Sequence, residues 1–115
     1  MWLITTTGFY SVVEKPWDRG KGTLTVRARA RQDLDALRAS FLPELGEIVE
    51  DQKADYRFRA QAPRAAVARA VQAQVEAIDY DNFKSAVDQR QGSGRARVYH
   101  DVWHALYRIQ SGQKA

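Results

Sequence analysis

The chain has no cysteine, one methionine, three prolines and only two histidines in 115 residues. Without cysteine there is no disulfide scaffold, no thiolate zinc site and no thiol nucleophile. A hydrophobic core must therefore hold the fold, and this length supports one such core without a metal or disulfide staple. It is too short for a kinase, a dinucleotide-binding enzyme with a substrate domain, or a barrel enzyme of the usual size. No apolar run approaches the length that spans a bilayer, so no membrane partner is expected. Met1-Trp2-Leu3-Ile4 is followed at once by three threonines, and no basic region precedes it. That is not a signal-peptide pattern, and a cytoplasmic location is expected. The patterns GxxxxGK(S/T), GxSxG, GxGxxG and the EF-hand loop are also missing. No catalytic constellation and no cofactor follow from the sequence, which favours a binding protein over an enzyme.

What is present is an ordinary apolar fraction of 44%, dispersed along the chain, which argues against wholesale disorder. Trp2 to Thr7 is β-rich, Gly8 breaks it, and Phe9 to Lys15 resumes it. The turn-forming stretch Pro16 to Gly22 leads into Thr23 to Arg29. There Leu24, Val26 and Ala28 alternate with Thr25, Arg27 and Arg29, which predicts a half-buried strand paired with the preceding one. Leu34, Leu37 and Phe41 predict a helix from about Gln32 that ends before Pro43.

The pattern then repeats. Glu47 to Asp51 and Asp55 to Gln61 predict two strands, with Tyr56, Phe58 and Ala60 facing one way and Arg57, Arg59 and Gln61 the other. Pro63 suits the first position of the following helix, whose stripe is Val67, Val71, Val75 and Ile78. Two strand–strand–helix units point to an α+β fold with about four antiparallel strands and both helices on one face. The arrangement is that of a permuted ferredoxin-like sandwich, with Phe9 to Lys15 in the place of a missing last strand. The bland alternative is an α+β domain with the same elements in another order. A single domain over 1–110 is expected, with a sheet–helix core at 1–78, a C-terminal helical pair at 79–110 and a frayed tail at 111–115. Asp79 or Asp81 would cap the helix that buries Phe83 and Val87. After Gly92-Ser93-Gly94 a last helix runs from Arg95 to Gln110. Its apolar positions Val98, Tyr99, Val102, Trp103, Leu106 and Ile109 form a stripe wide enough for a core or a dimer contact.

Charge is unevenly spread. Residues 1–57 hold nine basic and nine acidic side chains, whereas residues 82–115 hold six basic and two acidic, which matches the whole net charge of +4. Thirteen of the eighteen basic residues are arginine, whose planar fork suits phosphate and carboxylate. With Ser93 as N-cap, Arg95 and Arg97 would fall near the start of the last helix, against its dipole. Together with the backbone N–H groups of Ser93 and Gly94, and with Arg90 and Lys84 nearby, they would make an anion site. The plain alternative is a glycine turn with Arg97 paired to Asp101. A second basic patch is expected on the outer face of the sheet, from Arg27, Arg29, Arg57 and Arg59. Such a face would suit RNA. Its plain alternatives are cross-strand pairing with Glu14, Glu47, Glu50 and Asp55, or cover by the C-terminal helices. The aromatics Trp2, Phe9, Tyr10 and Trp17 could form a binding edge or a core. His100 and His104, one helical turn apart around Asp101, could share a metal as in the zincin helix. No glutamate stands in the base position and no third ligand is evident.

Gly8 to Lys15 (GFYSVVEK), Leu24 to Arg29 (LTVRAR), Asp79 to Val87 (DYDNFKSAV) and the closing helix from Tyr99 to Gln110 resemble a family of small uncharacterised bacterial and phage-borne proteins. The likeness covers most of the chain and implies one cytosolic domain. It carries no activity, cofactor or site residue. The leading expectation is a small binding protein that engages nucleic acid, or another anionic partner such as an acidic protein, through its basic C-terminal helices. A protein–protein or homodimerisation module comes second, and a small metal-dependent enzyme third.

Overall fold

The alternating segment at Thr23 becomes the middle of a sheet. A computed structural model describes residues 1–112. In chain order they form β1 (Trp2–Ile4), β2 (Phe9–Val13), β3 (Thr23–Ala28), α1 (Arg31–Ser40), β4 (Val49–Glu50), β5 (Phe58–Pro63), α2 (Arg64–Glu76), α3 (Phe83–Gln91) and α4 (Ser93–Gln110). Every strand pairing is antiparallel, and the order across the sheet is β1-β2-β3-β5-β4. The fold is α+β. The chain divides into two compact units, 1–79 and the part from Tyr80 onward.

In the first unit β2 lies beside β3, β3 beside β5, and β4 outside β5. That is the order expected of two strand–strand–helix units with the N-terminal strand in the place of the missing one. The sheet has one strand more than expected, because β1 flanks β2 and takes the edge from it. β4 is only Val49–Glu50, both exposed, rather than the whole of 47–51.

Side chains of a strand alternate between faces. Tyr10 and Val12 of β2, Val26 and Ala28 of β3, and Ala60 and Ala62 of β5 therefore share one face. Leu34 and Leu37 of α1 and Ala66, Val67 and Ala70 of α2 close over it, and Leu42, Leu45 and Ile48 fill the end. Of the N-terminal aromatics that could form an edge or a core, Tyr10 is core: it is fully buried and donates its hydroxyl to the Asp33 carbonyl at 2.9 Å.

Three expectations need correction in this unit. Val67 is buried, but Val75 and Ile78 are more than half exposed, because α2 is buried only over its first two turns and ends at Glu76. Pro63 closes β5 and precedes the helix, with extended backbone at ψ 138°, so Arg64 is the first helical residue. Tyr56 stands two residues before β5, beyond the reach of the alternation. It is buried apart from Phe58 and Ala60, on the opposite face.

In the second unit α3 and α4 form a helical hairpin. Asn82, rather than Asp79 or Asp81, caps α3 by accepting from the Ser85 N–H at 2.9 Å. Phe83 stacks on Tyr99 with centroids 6.0 Å apart and planes 9° off parallel. Val87, Ala86 and Ala96 are buried beside them. Gly92 joins the helices at φ 91°, a left-handed value that glycine adopts without strain. It also takes the N-cap position of α4 expected of Ser93, which is already helical. Ser111 ends α4 with its N–H donated to the Tyr107 carbonyl. The remainder of the expected tail, 113–115, lies outside the described residues.

Candidate functional site

The hairpin brings part of the basic C-terminal set together. Lys84, Ser85 and Asp88 of α3 and Ser93, Ala96, Arg97 and His100 of α4 line a groove of about 360 Å³. Lys84 Nζ lies 3.0 Å from His100 Nδ1. An ammonium has no lone pair, so Lys84 donates and the imidazole accepts. Among the described residues Asp88 is the one carboxylate that lines the groove, against Lys84 and Arg97. No acidic residue stands in the first turn of α4, where Arg95 and Arg97 oppose the helix dipole.

Other members of the expected set lie elsewhere. Arg95 packs its guanidinium 5.8 Å from the Tyr99 ring centroid and donates to the Tyr99 hydroxyl at 3.4 Å. Arg90 sits in the last turn of α3, where a cation complements the helix dipole. Gly94 is exposed in the first turn of α4 and does not line the groove. The expected pairing of Arg97 with Asp101 does not form among the described residues, and both side chains are exposed.

The histidine pair finds no third ligand among the described residues. His100 Nδ1 is engaged by Lys84, and the His100 ring stacks on Trp103 at 5.6 Å and 11°. His104 tilts against the same indole. Zinc sites take at least three protein ligands, and among the described residues no group of three or more His, Asp or Glu could hold a metal.

The sheet supplies the second basic set. Arg27 and Arg59 stand directly opposite each other on β3 and β5, on the face away from α1 and α2. Arg27 and Arg29 hold their guanidiniums 4.4 and 4.5 Å from the Tyr56 ring centroid. Arg59 donates to the Tyr56 carbonyl, Arg29 to the Asp55 carbonyl, and Arg27 to the Ser11 hydroxyl. Arg57 is the exception among the four expected there. It is exposed, lies over the Phe58 ring and is paired with Glu50 at 2.6 Å. Trp2 and Phe9 meet edge to face at 5.8 Å, and Phe9 touches Tyr56 at 6.2 Å.

The sequence reading missed a buried anion on this same face. Asp18, 1% exposed, accepts from the Thr23 and Thr25 hydroxyls, the Gln61 amide and the Lys15 N–H at 2.7 to 2.9 Å. Burial alone would raise its pKa. The hydrogen bonds from Thr23, Lys15, Gln61 and Thr25 outweigh that and lower it from 3.8 to about 2. Trp17 donates its indole N–H to Thr25 at 3.0 Å, so the β2–β3 loop is pinned across one end of the face. In sequence Asp18 looks like one more turn former. The available signal was the pair of hydroxyls at Thr23 and Thr25 on the outward side of a strand.

No protein family, curated protein or solved structure matches the chain. The chemistry of these surfaces therefore rests on their own geometry.

Proposed function

We propose that the chain is a non-enzymatic binding protein for nucleic acid or a similarly phosphate-rich partner, contacted through the α3–α4 hairpin. The observation that carries this is the groove in which Lys84, Arg97 and His100 converge with the hydroxyls of Ser85 and Ser93, opposed among the described residues by Asp88 alone. Phosphate oxygens accept from all of these donors, and two fixed cations give long-range attraction to a polyanion. On this reading the protein acts in the cytoplasm, where nucleic acid is accessible. Fluorescence anisotropy with a labelled oligonucleotide tests it. Affinity is expected to fall steeply with salt, with a log–log slope that flattens by about 2 when Lys84 and Arg97 are both replaced by glutamine. Absence of binding at low salt refutes the proposal.

A second reading is favoured by one observation. Val98, Trp103, Leu106 and Ile109 of α4 are all more than half exposed, although the stripe they form is that of a packed helix. A second copy of the chain could cover this face. Sedimentation over a range of concentrations separates the two, since a salt-insensitive dimer without affinity for polyanions would favour the homodimer.

A further inference from the structure

The first unit carries nine arginines, and their partners divide them cleanly. Arg19, Arg31, Arg57, Arg64 and Arg69 are each ion-paired to a carboxylate. Arg38 donates to the carbonyls of Leu45 and Gly46. The remaining three, Arg27, Arg29 and Arg59, have no carboxylate within ion-pair distance among the described residues, and all three gather around Tyr56. Like charges directly opposite on neighbouring strands destabilise a sheet, and Arg27 and Arg59 are such a pair. The Nε atoms of both are buried without a hydrogen-bond partner, which adds a desolvation cost. The Tyr56 ring offsets part of this for Arg27 and Arg29, while Arg59 gains only a carbonyl. The cluster thus has no ion pair of its own, although the same unit pairs five other arginines; the carboxylate buried on this face, Asp18, is taken up by Thr25 and Gln61 in the neighbouring row.

The register shows what lies beside it. Trp2 on β1 is opposite Ser11 on β2, Ser11 is opposite Arg27 on β3, and Arg27 is opposite Arg59 on β5. These four residues form one row across the sheet on the face away from the helices. The Trp2 indole at its end is 68% exposed. A row that holds two guanidiniums and runs to an exposed indole at the β1 edge fits a strand whose bases are unpaired. Phosphates can take the arginine forks, and a base face can stack on the indole. A duplex hides its base faces, so the exposed indole finds nothing to stack on there.

We propose that this face binds single-stranded nucleic acid, with Arg27 and Arg59 on the phosphates and Trp2 stacked on a base. The surface shares no residue with the hairpin groove, and only the class of ligand is common to both.

The test is anisotropy titration of the full chain with labelled oligodeoxythymidine and with its duplex, together with tryptophan emission. The single strand is expected to bind more tightly than the duplex and to quench tryptophan emission. Arg27→Gln with Arg59→Gln, checked for folding by circular dichroism, should weaken single-strand binding by at least about tenfold and flatten the salt slope by about 2. Trp2→Leu, at an exposed edge position that leaves the core intact, should weaken binding several-fold at an unchanged salt slope and remove most of the quenching. It serves as the decisive variant if the double arginine variant does not fold. Duplex bound as tightly as single strand, or polyglutamate competing as well as oligodeoxythymidine, overturns the proposal, the latter in favour of an acidic protein segment. Loss of binding in Lys84→Gln with Arg97→Gln but not in the sheet variants overturns this face and leaves the hairpin groove standing. The reverse pattern supports this face and removes the groove. No binding to either oligonucleotide at low salt removes both.

Discussion

Replacing Asp18 by asparagine should destabilise the protein in a way that fades with acid. The carboxylate is buried and receives four hydrogen bonds, from Lys15, Thr23, Thr25 and Gln61. Its pKa falls from 3.8 to about 2 on folding. That difference corresponds to about 2 kcal/mol of stability at neutral pH. A carboxyl with a depressed folded value contributes fully above its unfolded value and loses the contribution as the pH drops through the folded one. The window is therefore from about pH 4 down to about pH 2. Asparagine keeps one acceptor oxygen and turns an amide toward groups that were donating. A loss of about 2 to 3 kcal/mol at pH 7 is expected, from the missing charge and from donors left without an acceptor.

The assay is urea unfolding followed by tryptophan emission, for the parent and Asp18→Asn, at pH 7, 4 and 2. Because other carboxylates also titrate on the way down, the informative quantity is the difference between the two proteins. It should shrink to less than about 1 kcal/mol at pH 2, where Asp18 is about half protonated in the folded parent and most of its charge-linked contribution to stability is gone. A gap of the same size at pH 7 and pH 2 would show that the carboxylate acts through shape rather than charge, and would refute the reasoning. The same comparison bears on the sheet face, because Trp17 is tied to Thr25, and Thr25 to Asp18.

Three further outcomes are expected. At Gly8 an added Cβ would sit 2.7 Å from Asp33 Cγ and 2.8 Å from the Tyr10 hydroxyl, so Gly8→Ala should cost about 2 kcal/mol in urea unfolding by dislodging a buried carboxylate. Gly92→Ala forces a side chain into the left-handed region at φ 91° with open space around it, and should cost about 1 to 2 kcal/mol without loss of native helicity in circular dichroism. In oligonucleotide anisotropy Arg97→Ala should weaken binding more than Arg95→Ala, because Arg97 lines the groove while Arg95 is turned onto Tyr99. Equal effects would remove the groove as the contact.

The parts of the fold that were legible in the sequence are those where one face meets a core and the other does not. The alternation at Thr23–Ala28 and the spacing of Leu34 and Leu37 gave β3 and α1 within a few residues, because burial on one side imposes a period. Periodicity failed where burial stopped. The apolar stripe of α2 continues to Val75 and Ile78 although the core ends at Ala70, and β4 has two exposed residues with nothing to alternate against. Caps were less legible still, since Asp79, Asp81 and Asn82 are all capable, and only the local backbone selects Asn82. For the hairpin groove, the sequence supplied Lys84, Ser93 and Arg97. It could not add His100 as their neighbour, because that contact depends on how two helices are phased across a glycine.

The same limit applies to charge, and it changes where an anion should be sought. By count, the first 57 residues are neutral and the surplus lies at the C-terminal end. A count treats every carboxylate as available to every cation, whereas ion pairing needs contact within a few ångströms and falls off steeply through water. Glu14 is shared by Arg19 and Arg64, Glu50 is taken by Arg57, and Asp18 and Asp33 are buried and hold hydroxyls, an amide and backbone N–H groups. Carboxylates spent in these ways leave Arg27 and Arg29, within a segment whose formal charge is zero, and Arg59 just beyond it, without an ion pair around a single tyrosine. A neutral total therefore conceals a locally positive face. On this chain the unbalanced arginines of the sheet are as strong a reason to expect an anionic ligand as the net surplus on the helices.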